Sequence, residues 1–168
     1  QRAVWQLEQQ GMHPLLARLY AARGVKDKTE LDYELKSLLP PATLTHATDA
    51  AHMLADAIEA EAKMLIIGDY DCDGVCSTAI LAGALRSRGG TVTTFLPSRF
   101  TDGYGVSEAT VERLADEGAR VLTCVDCGTS SVEPLQRAVE LGMDVIVLDH
   151  HLAGGARPPG IMANPALG

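Results

Sequence analysis

Three short apolar runs in this chain each end abruptly in acid, and no other feature restricts its folding as much. Met64-Leu65-Ile66-Ile67-Gly68 runs into Asp69-Tyr70-Asp71-Cys72-Asp73-Gly74, Val121-Leu122-Thr123-Cys124-Val125 into Asp126-Cys127-Gly128, and Val145-Ile146-Val147-Leu148 into Asp149-His150-His151. Runs rich in Val, Ile and Leu, separated by helical segments, read as buried strands of a parallel sheet. In such a sheet the ligand crevice lies beyond the carboxyl ends of the strands, so acids far apart in sequence converge there. Five carboxylates and two imidazoles at one sheet edge repel each other unless cations stand between them. A pair of hard or borderline divalent ions is the natural counter-charge.

The rest of the pattern supports an α/β fold, a mostly parallel sheet with helices on both faces, preceded by a short helical lead-in. The expected division is 1–62 for the lead-in and 63–168 for the metal-binding domain. In the lead-in, Pro14 opens a helix striped by Leu15, Leu16 and Leu19 and stopped at Gly24. Thr29 caps a second helix carrying Leu31, Leu35 and Leu38, which Pro40-Pro41 breaks, and a third begins at Thr48 or Asp49. From Lys63 onward strand, loop and helix repeat, with strands near 64–68, 92–96, 121–125 and 144–148. The helices between them span about Val75 to Arg88, Ser107 to Gly118, and Ser130 to Gly142, the last opened by the capping box Ser130-Ser131-Val132-Glu133. Ile161-Met162-Ala163 supplies an edge strand. Such alternation implies right-handed crossovers between parallel strands.

A chain of 168 residues with 46% apolar and 21% charged content holds one good core. It has no run able to span a bilayer and no basic-then-apolar leader, so a cytoplasmic location is expected, with no membrane partner. The net charge of −8 argues against indiscriminate polyanion binding, but acid gathered at a metal site is neutralised once the ions load. The cysteines fall as Cys72-x-x-x-Cys76 and Cys124-x-x-Cys127, and buried, reduced thiols are the reading preferred over a zinc clip or a redox pair.

Asp71 and Asp73, just past a strand end, place two carboxylates on one side of an extended segment, and Gly74 lets the chain turn tightly into the next helix. One aspartate suffices for a helix cap, and three exceed that need. Asp126 repeats the arrangement on a second strand. In Asp149-His150-His151 one imidazole can bind metal while the other faces substrate, with Asp149 fixing a ring tautomer. His13, His46 and His52 lie apart from the acids and read as surface or packing residues. Tyr70, Phe100 and Tyr104 could stack a base; core packing is the preferred role for each.

In this order on successive strands, Asp69-Tyr70-Asp71-Cys72-Asp73-Gly74, Val125-Asp126-x-Gly128 and Asp149-His150-His151 resemble the first three motifs of the DHH phosphoesterase superfamily. Pro97-x-Arg99-Phe100-x-Asp102-Gly103-Tyr104-Gly105 and Leu16-x-Arg18-Leu19-Tyr20-x-x-Arg23-Gly24 resemble its RecJ-type single-strand-specific exonucleases in particular. The resemblance implies hydrolysis of phosphodiesters with two Mn²⁺ or Mg²⁺ ions. It also implies release of 5′-mononucleotides from the 5′ end of single-stranded DNA in repair and recombination, with single-strand-binding protein as a further partner. On matching positions it makes Asp71, Asp73, Asp126 and His150 metal ligands and Asp69 and Asp149 ligating or supporting carboxylates. His151 then contacts the scissile phosphate, and Arg99 could meet a phosphate. A DHH phosphodiesterase for short oligonucleotides or cyclic dinucleotides is the alternative enzyme, and a non-catalytic DHH-like scaffold the alternative outside catalysis. Cys72 and Cys127 stand where the family has alanine and asparagine, so zinc is expected to inhibit this chain more than a Cys72→Ala, Cys127→Asn version. No counterpart of the family's fourth metal-binding aspartate or glycine-rich domain precedes Gly168, so the chain is expected to be an amino-terminal piece with little activity alone.

Overall fold

A computed structural model describes residues 1–98, 100 and 105–167. The chain forms two compact units, Gln1–Pro40 and Pro41–Gly168.

In the first unit helices α1 (Arg2–Gln9) and α2 (Pro14–Ala22) pack on each other. Leu7 and Ala17 are fully buried, whereas Leu15, Leu16 and Leu19 stay substantially exposed, so the leucine stripe marks the helix but not its buried face. The expected second helix is replaced by two 3₁₀ turns, Lys28–Leu31 and Leu35–Ser37. Asp27, not Thr29, caps the first of them. It accepts from the Thr29 amide while Glu30 accepts from the Asp27 amide, a reciprocal cap at the start of the turn, and the turn ends where Asp32 takes up extended backbone at ψ 115°. Leu35 and Leu38, left without a helix to place them on one face, are exposed.

The first α-helix of the second unit is α3 (Ala47–Glu59), which the sequence pattern places in the lead-in. Ala50, Leu54 and Ala57 bury this helix in a core with Met64, Ile66, Val121 and Ile146. After it come β1 (Lys63–Gly68), α4 (Cys72–Arg86), β2 (Thr91–Phe95), α5 (Glu108–Asp116), β3 (Val121–Val125), α6 (Val132–Glu140), β4 (Asp144–Leu148) and β5 (Ile161–Ala163). All pairings are parallel, in the order β2-β1-β3-β4-β5. Alternation along the strands divides the core in two, as a period of two requires. Leu65, Ile67, Leu122, Cys124, Val145 and Val147 meet α5 and α6 on one face, and Met64, Ile66, Val121, Val125 and Ile146 meet α3 and α4 on the other.

From β1 the chain steps outward to β2, then returns past β1 to β3. This reversal makes the β1/β3 gap the topological switch point, where the loops leaving two neighbouring strands go to opposite faces and open a crevice. Gly68 ends β1 opposite Val125, which ends β3, so the acid-bearing segments after both strands start side by side. Val125 in turn pairs with Leu148 at the end of β4.

Candidate metal centre

Asp69 and Asp71 reach the crevice by different means. Asp69 follows β1 directly, is nearly buried, and accepts a hydrogen bond from the Tyr70 amide at 2.7 Å. Asp71 is the N-cap of α4, its carboxylate accepting from the Gly74 amide at 3.1 Å. That amide hydrogen bond and the neighbouring Asp73 hold the Asp71 carboxyl below its ordinary range. Asp73 lies inside the first helical turn, not on an extended segment with Asp71. Capping and metal binding are thus not alternatives for Asp71, since one carboxylate oxygen caps and the other is left for a ligand. Gly74 works differently from expectation: a Cβ there would stand 2.5 Å from the Asp69 carbonyl oxygen. The glycine is required for close approach of α4 to the end of β1, where the turn itself would accept other residues.

Asp126 carries the centre. Its backbone lies in the left-handed region at φ 58°, a conformation that aspartate tolerates better than most residues. The turn sends Cys127 inward, where its thiol donates to the Ile67 carbonyl at 3.6 Å, and Gly128 at φ 104° passes close against Cys124. Asp126 is 7% exposed, and its buried Oδ2 has no hydrogen-bond partner. Burial pushes its carboxyl up to about 6, helped by the charges of Asp73 and Asp71 and opposed by His150 and His151. An orphaned, desolvated carboxylate oxygen beside other acids fits a divalent cation as its partner.

His150 Nε2 stands 3.4 Å from Asp126 Oδ1. Asp149 is buried and accepts from the amides of Thr129, His150 and His151 and from His151 Nδ1, at 3.0, 2.7, 3.2 and 2.7 Å. Burial raises its carboxyl, but the bonds from Thr129 and His151 outweigh that and bring it down to about 2. The same contact with Asp149 raises His151. Among the described residues two groups of donors lie within 4.8 Å, Asp69, Asp71 and Asp126 in one and Asp126, His150 and His151 in the other. Asp126 belongs to both, so one carboxylate stands between two possible ion positions. Asp73 lies outside both groups, although its charge reaches Asp126. Asp149 faces the histidine pair and its backbone, behind the donors.

Several expectations change. Cys124 and Cys127 are buried, but Cys72 and Cys76 are exposed, one turn apart on the first two turns of α4 with their thiols in contact. A helix presents i and i+4 on one face, and the apolar face of α4 is supplied further along by Ala82 and Leu85. Phe100 is 92% exposed, not packed in a core; with Tyr70, Asp71 and Ser98 it lines an open pocket of about 520 Å³. Arg99, Asp102, Gly103 and Tyr104 lie outside the described residues. The capping box expected at α6 does not form a side-chain bond. Two polar residues missed in the sequence stand behind the centre, Thr129 and Asn164, both buried. The signal for Asn164 is the same as for the acids, a polar residue directly after a short apolar run.

An acid-tipped parallel sheet with Asp-His-His at its third motif defines a class, and the chain belongs to it: residues 63–166 match the DHH family, N-terminal domain. Within that family it is similar to the single-stranded-DNA-specific exonuclease RecJ of Escherichia coli strain K12, at 40% identity over 92% of this chain and 27% of the relative. A crystal structure of exonuclease RecJ bound to manganese superposes with a TM-score of 0.72, at 37% identity over 77% of this chain and 34% of that one. RecJ from Thermus thermophilus in complex with Mn²⁺ gives 0.69, at 34% identity over 99% of this chain and 23% of that one. The chain spans about a quarter of the length of the curated relatives it matches.

Proposed function

We propose that this chain is the metal-binding part, residues 63–168, and the helical lead-in of a single-strand-specific DNA exonuclease that removes 5′-mononucleotides in cytoplasmic repair and recombination. The observation that carries the reading is Asp126, a buried carboxylate with an unpartnered oxygen shared by two donor groups at the switch point of the sheet. The donors are carboxylate oxygens and imidazole nitrogens with no thiol among them, a set that suits Mn²⁺ or Mg²⁺ better than a soft ion. Asp71, Asp73, Asp126 and His150 would hold two such ions, with Asp69 beside them. When bound, the pair would supply an activated water and neutralise charge on the phosphoryl and leaving oxygens.

The residues of the chain do the rest. Asp126, buried and poorly solvated, favours the loaded over the empty site because ionisation without a cation is costly there. Asp149 holds the Nδ1 proton of His151 and favours the protonated ring, so that Nε2–H would be the donor left for the scissile phosphate. Arg99 is assigned to a second phosphate, and single-strand-binding protein is the partner that would deliver covered strands. Support comes from the family match and from 40% identity to an enzyme named for single-stranded DNA. At about a quarter of the relatives' length, the chain alone is expected to bind Mn²⁺ weakly and to cleave slowly.

Single-stranded DNA labelled at the 5′ or the 3′ end, incubated with Mn²⁺, tests the reading in the protein and its Asp71→Ala variant. Early release of the 5′ label as a mononucleotide, lost in the variant, is expected. Cleavage confined to dinucleotides, or early release of the 3′ label, contradicts it.

A further inference from the structure

We propose that Asn164 is a positioning residue of the centre, holding His151 in one orientation and one tautomer through a closed ring of hydrogen bonds. Asn164 is the first residue after β5 and is 2% exposed. Its Nδ2 donates to Thr129 Oγ1 at 3.0 Å and to the His151 carbonyl at 2.9 Å, and its Oδ1 accepts from the Ala166 amide at 2.8 Å. The Thr129 amide donates to Asp149 Oδ2 at 3.0 Å, and Asp149 Oδ1 accepts from the His151 amide and from His151 Nδ1 at 3.2 and 2.7 Å. The path therefore runs from Asn164 to Thr129, to Asp149, to His151 and back to Asn164. It joins the segments that leave β3, β4 and β5.

The chemistry of the groups fixes the direction of each bond. The His151 carbonyl can only accept, so the Asn164 amide must face it with its NH₂ and turn Oδ1 to Ala166. Asp149 meets three backbone amides and is an acceptor throughout, so the proton on the His151 ring must sit on Nδ1. Nε2 is then the ring nitrogen outside the closed path. Residues 149–160, between β4 and β5, contain no helix or strand, so His151 has no ladder to hold it. Asn164 ties that irregular segment to the more regular end of β5, which is the support that a reacting side chain on a loop needs. The consequence for hydrolysis rests on the reading of His151 as a phosphate contact; the positioning itself does not.

The test uses Asn164→Asp, which keeps the acceptor for Ala166 and sets an oxygen against the His151 carbonyl, together with Thr129→Val and the conservative Thr129→Ser. The ¹⁵N spectrum of the metal-free protein, with His151 assigned by comparison with His151→Gln, reports the tautomer, and calorimetry reports Mn²⁺ affinity. In the wild type and Thr129→Ser a single Nδ1–H tautomer is expected. In Asn164→Asp and Thr129→Val mixed tautomers and a loss of about tenfold in Mn²⁺ affinity are expected. Unchanged tautomer and affinity in both disruptive variants, with only a lower melting temperature, would overturn the proposal, because packing alone would then account for Asn164. Mixed tautomers in those variants alongside a wild type that releases the 3′ label first, or cleaves only dinucleotides, would refute the exonuclease reading and leave the positioning role intact.

Discussion

At the scale of single residues, Asp126 brings together backbone strain, burial and an unpartnered oxygen. Such a residue stabilises the loaded site and destabilises the empty one. Asp126→Asn keeps the shape and tolerates the left-handed backbone but removes the charge. In chelator at neutral pH this variant is expected to be more stable than the wild type by about 1–3 kcal/mol, read from urea unfolding, while Mn²⁺ binding is lost. Equal or lower stability would show that the carboxylate is not strained in the empty site. The cysteines divide at the same scale. Cys127 is buried and donates to the Ile67 carbonyl inside the core, and Cys124 beside it is raised well above its ordinary range by contact with Cys127 and by burial, so Cys124 offers no thiolate. Cys72 and Cys76 are exposed and adjacent to Asp71 and Asp73. The extra zinc sensitivity expected from the sequence therefore belongs to Cys72: Cys72→Ala is expected to weaken zinc binding in competition with a chromophoric chelator, and Cys127→Asn to leave it unchanged. Identical zinc affinity in wild type and Cys72→Ala would rule this out.

At the scale of elements, α4 shows how a helix serves a site. Its N-cap is a candidate ligand, and its third residue is a glycine whose hydrogen faces the backbone of Asp69. Gly74→Ala forces the end of β1 and the start of α4 apart, and overpacking of this kind costs about 1–3 kcal/mol. Because Asp69 and Asp71 lie on either side of the contact, Mn²⁺ affinity is expected to fall with stability. Gly83 in the same helix is the control: a Cβ there meets nothing within 4 Å. Gly83→Ala is expected to stabilise by about 0.5–1 kcal/mol and to leave metal binding unchanged, measured by thermal melts and calorimetry on both variants. The strands and most helices are legible because hydrophobic periodicity and caps are local signals; Ser107, for example, caps α5 as read, accepting from the Thr110 amide. Legibility fails where local signals compete. Asp27 takes the cap expected of Thr29, and at α6 the N-cap is Ser131 and not Ser130, so Glu133 falls at the second helical position and no side-chain cap bond forms.

At the scale of the whole molecule, opposed titrations shape stability. The Asp149 carboxyl is brought down to about 2, so its contribution is present above the ordinary carboxylate range and is lost as pH falls through that value. Asp126, raised from 3.8 to about 6, works in the other direction: the native state retains a proton that the unfolded state releases, so stability declines as pH rises across that window. His151, raised above 6.5, contributes below that value and stops contributing as pH passes its folded value. The metal-free protein is thus expected to be most stable near about pH 4, and saturating Mn²⁺ to shift the optimum toward neutrality, since an ion that binds only the native state stabilises it. Melting temperatures across pH, with chelator and with Mn²⁺, check this; identical profiles would contradict it. By itself the sequence determined the parallel α/β class, the strand ends that bear acid and the family, because burial on both faces and the spacing of acids are written along the chain. Tertiary structure alone decided that β1 and β3 are neighbours, that Asp126 is shared by two donor groups, and that Asn164 meets His151. Those relations depend on strand order and on close approach between segments distant in sequence, which no local pattern of residues encodes.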